Sequence, residues 1–311
     1  MHEHIFINML AEFRESGLLN DHRLMCEEAG AFAAAGGRTI VDLTTAELTR
    51  GAAPDPAGIF SGQPDSGYPQ DGSRAVNNVL SIKRLSEETG LNLVVGTGHF
   101  RDPYFDQGWI DRFDAAQIAE RMVRDLTEGI SGTGVRAGII GEIGADKWHV
   151  SSAEERSFRA AARACRETGA AISTHASRWP VGIAQLDILQ AEGVDPRRVI
   201  IGHSDSVNIP EYHEAIARRG AFVEFDTVRG ENAYDTRLRV EFVRNLIGKG
   251  YLGHILLSHD VCIRSQLRIN GGFGFDYIPT SFVPVLAEAG VGKDEIQQIL
   301  VDNPRRALAG E

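Results

Sequence analysis

Histidine and carboxylate side chains close a series of short apolar runs along this chain. His2 and His4 stand in Met-His-Glu-His-Ile-Phe-Ile, and Glu142 ends Ala-Gly-Ile-Ile-Gly-Glu. His175 ends Ala-Ile-Ser-Thr-His, His203 ends Val-Ile-Ile-Gly-His, and Asp260 ends Ile-Leu-Leu-Ser-His-Asp. Imidazole and carboxylate together suit zinc, with manganese, cobalt or iron as alternatives. His2 and His4 are two apart, so on a strand both rings share one face and Glu3 takes the other. Any one of these histidines alone reads more simply as a surface or hydrogen-bonded core residue. The set, at equivalent strand ends, favours a centre for two divalent ions. Glu142 is the natural bridge, because each of its two oxygens can hold one ion.

The elements that must position these groups alternate between strand and helix patterns. Candidate strands are 2–8, 38–44, 91–97, 137–143, 171–176, 199–204, 221–226 and 254–259. They are short, apolar and bounded by Gly or polar residues, as buried parallel strands are. Amphipathic stretches lie between them, such as 153–168, and Gly169, Gly193, Gly220 and Gly250 read as helix stops. Glu142, His175 and His203 follow at roughly 30-residue intervals, the length of one βαβ unit. An open doubly wound sheet would not bring the first and last strands to one site, whereas a closed barrel would. The expected fold is therefore an α/β (β/α)8 TIM barrel with its site at the carboxyl ends of the strands. One domain over 1–311 accommodates it. Segments 51–73 and 261–280 read as long loops shaping a pocket, and the tail 281–311 reads as helical, closing the barrel.

Composition narrows the function classes. The 311 residues carry a formal net charge of −11, which repels nucleic acid and anionic membranes overall. No apolar run approaches the roughly 20 residues of a membrane span, and no basic stretch precedes an apolar one as in a secretory leader. Cys26, Cys165 and Cys262 match no disulfide or zinc spacing, which fits a reduced, cytoplasmic protein. Cys165 reads as core packing, and Cys262 as a weak ligand candidate beside Asp260. His2 and His4 leave almost no chain ahead of the site, which fits a natural start further upstream or a trimmed one.

The chain resembles the phosphotriesterase family of the amidohydrolase superfamily. The resemblance covers nearly its whole length. It rests on His-Glu-His at 2–4, Gly-Thr-Gly at 96–98, Ala-Gly-Ile-Ile-Gly-Glu-Ile-Gly at 137–144, Ser-Thr-His at 173–175, Gly-His-Ser-Asp at 202–205 and Ser-His-Asp at 258–260. It implies one ion held by His2, His4 and Asp260 and a second held by His175 and His203, with a carboxylate bridging them. Some members bridge with a carboxylated lysine. Here Gly141 and Glu142 occupy that strand and Lys147 lies beyond it, as in the branch that uses glutamate, so assembly should need no carbon dioxide. A homodimer is the family expectation.

The implied reaction is hydrolysis. Two ions roughly 3.5–4 Å apart share a water and lower its pKa toward about 7, giving a bridging hydroxide as nucleophile. Asp260 would take the proton and pass it to the leaving group, and Asp226 is a candidate to steady a ligand from behind. A carboxylic ester or lactone is the first substrate class, and an N-acyl amide or phosphotriester the alternative. Lactone-cleaving members carry a tyrosine after the Gly-Thr-Gly strand and an arginine after the seventh-strand Asp. Here His99-Phe100 and Thr227 stand there. His99, Arg229 and Arg264 are candidate substrate contacts, the arginines for an anionic group. Two readings compete with hydrolysis: a non-catalytic metal or small-molecule binding protein, and a proton-transfer isomerase with His99 as second base.

Overall fold

The computed structural model describes residues 1–52, 72–145 and 147–310. After an opening segment, residues 2–4, the chain makes a small antiparallel pair, β1 (Ile7–Asn8) with β2 (Leu18–Leu19). Seven parallel strands follow: β3 (Thr39–Asp42), β4 (Asn92–Thr97), β5 (Ile139–Gly144), β6 (Ile172–His175), β7 (Val199–Gly202), β8 (Phe222–Phe225) and β9 (Ile255–Leu257). They pair strictly in chain order.

The opening segment completes the barrel. The Glu3 amide donates to the Val41 carbonyl (3.0 Å), and the Leu43 amide to the Glu3 carbonyl (2.9 Å). On the other side, the His4 amide donates to Val261 and the Asp260 amide to His2, both at 3.1 Å. Residues 2–4 thus occupy the eighth place, between β3 and the chain leaving β9, in a (β/α)8 barrel. The strand expected over 2–8 is shorter than that. The Ile5 amide donates to Asp42 Oδ2 (2.8 Å) rather than to a neighbouring carbonyl, so the chain leaves the ladder after His4.

Side-chain alternation sorts the barrel interior into layers. Val41, Ile139, Ala171, Ile200, Phe222 and Leu256 share one apolar cluster that also takes in Ala307 of the tail. Two residues further along, four of these segments carry Ser173, Gly202, Glu224 and Ser258, and beyond them come His175, Asp226 and Asp260. An apolar floor therefore carries a polar top. The expected helical tail is present, ending in the helix Asn303–Ala309. It seals the floor: Asn303 Nδ2 donates to the carbonyls of Leu252 and Ile255, both at 2.8 Å.

The outer helices begin and end where local chemistry directs. Ser151 and Glu154 form a capping box at the start of Ser152–Thr168, and Gly169 ends that helix at φ 77°. Its buried face holds Phe158, Ala160, Ala161, Ala164 and Cys165. Of the loop expected over 51–73, residues 53–71 lie outside the described residues. The segment 261–280 is pinned to its surroundings: Glu28 accepts the amides of Arg268 and Ile269, both at 3.1 Å, and the Ile278 amide donates to His259 Nε2 (3.0 Å). Among the described residues, no helix is long and apolar enough to cross a membrane.

Candidate metal centre

The strand ends bring His2, His4, Glu142, His175, His203 and Asp260 into one cluster. Donor atoms of His2, His4 and Asp260 lie within 4.8 Å of one another, as do those of Glu142, His175 and His203. Glu142 reaches both sets. Its Oε1 is 3.5 Å from His4 Nε2, and its Oε2 is 3.2 Å from His2 Nε2, 3.0 Å from His175 Nδ1 and 3.5 Å from His203 Nε2. Asp260 Oδ1 lies 3.4 Å from His4 Nε2 and 4.0 Å from His2 Nε2. His175 Nδ1 and His203 Nε2 are 2.8 Å apart.

Three of the four rings are aimed by a partner behind them. Asp226 Oδ2 lies 3.0 Å from His2 Nδ1, and its Oδ1 lies 2.7 Å from His203 Nδ1. The His203 amide also donates to Asp226 (2.7 Å). Thr44 Oγ1 meets His4 Nδ1 at 3.0 Å. The partners thus occupy Nδ1 of these three rings and turn Nε2 toward the cluster centre, whereas His175 faces it with Nδ1. Residues His2, His203 and Asp226 also converge, but their close atoms are the ones already facing each other across these contacts. Gly202 makes the crowding feasible: a Cβ there would sit 3.3 Å from His2 Nδ1 and 2.3 Å from the Thr174 carbonyl oxygen. His203 (φ 52°) and Asp260 (φ 53°) adopt left-handed backbone, a strain of about 1–3 kcal/mol each that is typical of functional positions.

Charge and donor chemistry fit divalent cations. Burial opposes a charge on His2, yet Glu142 and Asp226 raise its pKa well above the usual imidazole value. Burial likewise opposes a charge on His203, and Asp226 brings it up to about 10. Burial would push Glu142 up, but His2 and His175 hold it well below the usual carboxylate range. His175 goes down through burial and its neighbour His203. These carboxylates therefore call for nearby positive charge, which imidazolium protons or metal ions can supply. Both ring nitrogens of His2 are buried and neither meets hydrogen-bond geometry among the described residues, with carboxylate oxygens 3.0 Å from Nδ1 and 3.2 Å from Nε2.

The other residues singled out from sequence fall in different places. Asp226 sits directly behind the cluster. Arg229 joins it through Asp260 Oδ2 at 2.7 Å. His99 is buried, with Nδ1 2.6 Å from Glu47 Oε1 and its ring packed on Trp109. Arg264 is exposed and donates to the Leu18 carbonyl (2.8 Å) and toward Asn20 (3.5 Å); among the described residues no contact joins it to the cluster. Sequence reading missed the work of Glu3. Its carboxylate accepts from the Ser258 hydroxyl (2.7 Å), His259 Nδ1 (2.7 Å) and the Val261 amide (2.9 Å), riveting the opening segment to the chain around Asp260. Burial works against this charge, but His259 and the amide hold Glu3 at about 2. The central position of Glu3 in His-Glu-His was the available signal.

A barrel bearing such a cluster at its strand ends is the framework of a metal-dependent hydrolase. The phosphotriesterase family model matches residues 73–308, and the chain belongs to the phosphotriesterase family. A phosphotriesterase homology protein of Escherichia coli (strain K12) is 32% identical over 305 residues, which cover 97% of this chain and 94% of that protein. Its crystal structure, with phosphate in the active site, matches at TM-score 0.85 and 31% identity over 98% of this chain and 96% of that one. An N-acetyltaurine hydrolase of Dictyostelium discoideum is 30% identical over 304 residues, 93% of this chain and 74% of that protein. The crystal structure of a lactonase from Listeria monocytogenes matches at TM-score 0.82 and 26% identity, over 99% of this chain and 93% of that one. The chain is a hydrolase of this family.

Proposed function

We propose that this hydrolase holds two divalent ions, zinc first, and cleaves a carboxylic ester or lactone. His2, His4 and Asp260 would hold one ion, His175 and His203 the other, with Glu142 between them. The observation that carries this reading is the reach of Glu142, whose two oxygens face both donor sets. When bound, such a pair supplies Lewis acidity at the carbonyl and a water acidified to a pKa of about 7.

The chain's own groups do the rest. Asp260 presents Oδ1 to the cluster while Arg229 holds Oδ2. It accepts a proton from water as the water oxygen bonds to the acyl carbon, and returns it to the departing alkoxide as the C–O bond breaks. Asp226 keeps His2 and His203 oriented throughout. An apolar floor closes the barrel below the polar layers. A cytoplasmic homodimer belongs to the same reading.

A second reading, an N-acyl amide with an anionic tail, draws support from the relative named N-acetyltaurine hydrolase. Phosphate in the active site of the Escherichia coli relative keeps phosphotriesters among the candidates. The deciding experiment is a mass-spectrometric hydrolysis screen of zinc- or manganese-loaded protein. Its panel holds esters, lactones, N-acyl amino acids and phosphotriesters, each in neutral and anionic versions. A water-added product that disappears in Asp260→Asn identifies the bond. No product with any of them, from protein that binds no metal, overturns the reading in favour of a binding protein.

A further inference from the structure

A second group of ligand atoms converges away from the strand ends. His22 and Cys26 lie four apart on the helix His22–Ala34 and so share one face. Glu88 meets them from the helix Val76–Thr89. His22 Nε2 is 2.9 Å from Glu88 Oε2. Cys26 Sγ is 3.3 Å from that same oxygen and 3.5 Å from His22 Nε2. A tetrahedral zinc with bonds of about 2.0–2.2 Å to N and O and about 2.3 Å to S has N–O edges of about 3.4 Å and S–N and S–O edges of about 3.6 Å. Each observed edge falls within about 0.5 Å of that triangle.

We propose that His22, Cys26 and Glu88 form a zinc site distinct from the strand-end cluster, with the fourth position open to water. The surroundings support it. Arg84 Nε holds the other Glu88 oxygen at 2.7 Å, which leaves Oε2 to face inward. Ring stacking on buried Phe6 fixes the His22 imidazole, centroid to centroid 6.0 Å and 17° between planes. Asp21 accepts the Leu24 amide (3.0 Å) and so anchors the turn that carries both helix ligands. Imidazole and thiolate together select zinc over harder ions such as magnesium or calcium. In the metal-free protein the Cys26 thiol donates its proton toward Glu88 Oε2. Zinc would take the place of that proton, which leaves to solvent. The ion would clip the helix His22–Ala34 to the helix Val76–Thr89, joining two elements far apart in the chain.

Cobalt(II) loading of the full chain tests this, because a thiolate-to-cobalt charge-transfer absorption requires a cysteine ligand, and the strand-end ligand set contains none. The expected result is a thiolate band that Cys26→Ser abolishes and Cys262→Ser keeps. Zinc content measured on Cys26→Ser should fall by one equivalent per chain, with hydrolysis unchanged. His22→Gln and Glu88→Gln alter partly exposed positions and should each weaken cobalt binding at this site about 10–100-fold. No thiolate band in the wild type, or a band that survives Cys26→Ser, would overturn the assignment.

Discussion

Arg229 places a guanidinium nitrogen 2.7 Å from Asp260 Oδ2. The same guanidinium donates to the carbonyls of His259 (3.0 Å) and Asp260 (3.2 Å). Three acceptors on one short stretch, around a left-handed residue, leave the carboxylate little freedom to rotate. Its Oδ1 stays toward His2 and His4. From sequence, Arg229 reads as a contact for a substrate anion; in the fold its hydrogen bonds go to Asp260 and to the carbonyl of His259 before it.

The pairing separates two roles by kinetics. If Arg229 acts through Asp260, Arg229→Ala should lower kcat about 10–100-fold, with KM for a neutral ester nearly unchanged. A raised KM confined to anionic substrates, with kcat intact, would instead make Arg229 a substrate contact.

Asp260 itself is the proposed proton carrier. Asp260→Asn should cut turnover about 10²–10⁴-fold while most of the bound metal remains, because the other ligands are untouched. Parallel kinetics and metal analysis check this, and near-normal turnover would sink the role.

Asp226 touches no substrate in this reading, yet its two oxygens face Nδ1 of both His2 and His203. Asp226→Asn should loosen metal binding about 10–100-fold, read by competition with a chelator. Metal content that withstands the chelator as in wild type would count against it.

Chelation should abolish hydrolysis, and zinc or manganese alone should restore it. Glu142 is a carboxylate by nature, so added bicarbonate should make no difference to recovery. A bicarbonate requirement would exclude Glu142 as the bridge.

Arg74 is fully buried beside Asp42, with its nitrogen 2.9 Å from Oδ1. That carboxylate also receives the amides of Ile5 and Thr44, just where the opening segment leaves the ladder. Arg74→Ala strands a buried charge and should cost about 3–5 kcal/mol in urea unfolding. A loss below about 1 kcal/mol would mean the pair behaves like an exposed one.

Short apolar runs alternating with amphipathic stretches, and ligand residues at the ends of those runs, were enough, from the sequence by itself, to indicate a barrel and to nominate His2, His4, Glu142, His175, His203 and Asp260. That information is local: a residue's own type and its near neighbours decide which face it takes and where its strand stops. Only the tertiary structure decided the partners. Glu3 meets His259 across 256 positions, and Arg74 pairs with Asp42 at the end of β3. Arg229 and Arg264 look alike beside Asp260 in sequence, yet one holds that aspartate and the other ties down the Leu18 carbonyl. Such pairings follow from closing the first segment onto the last strand. Hydrogen-bond distances across that closure depend on register and packing, for which a one-dimensional pattern carries no term.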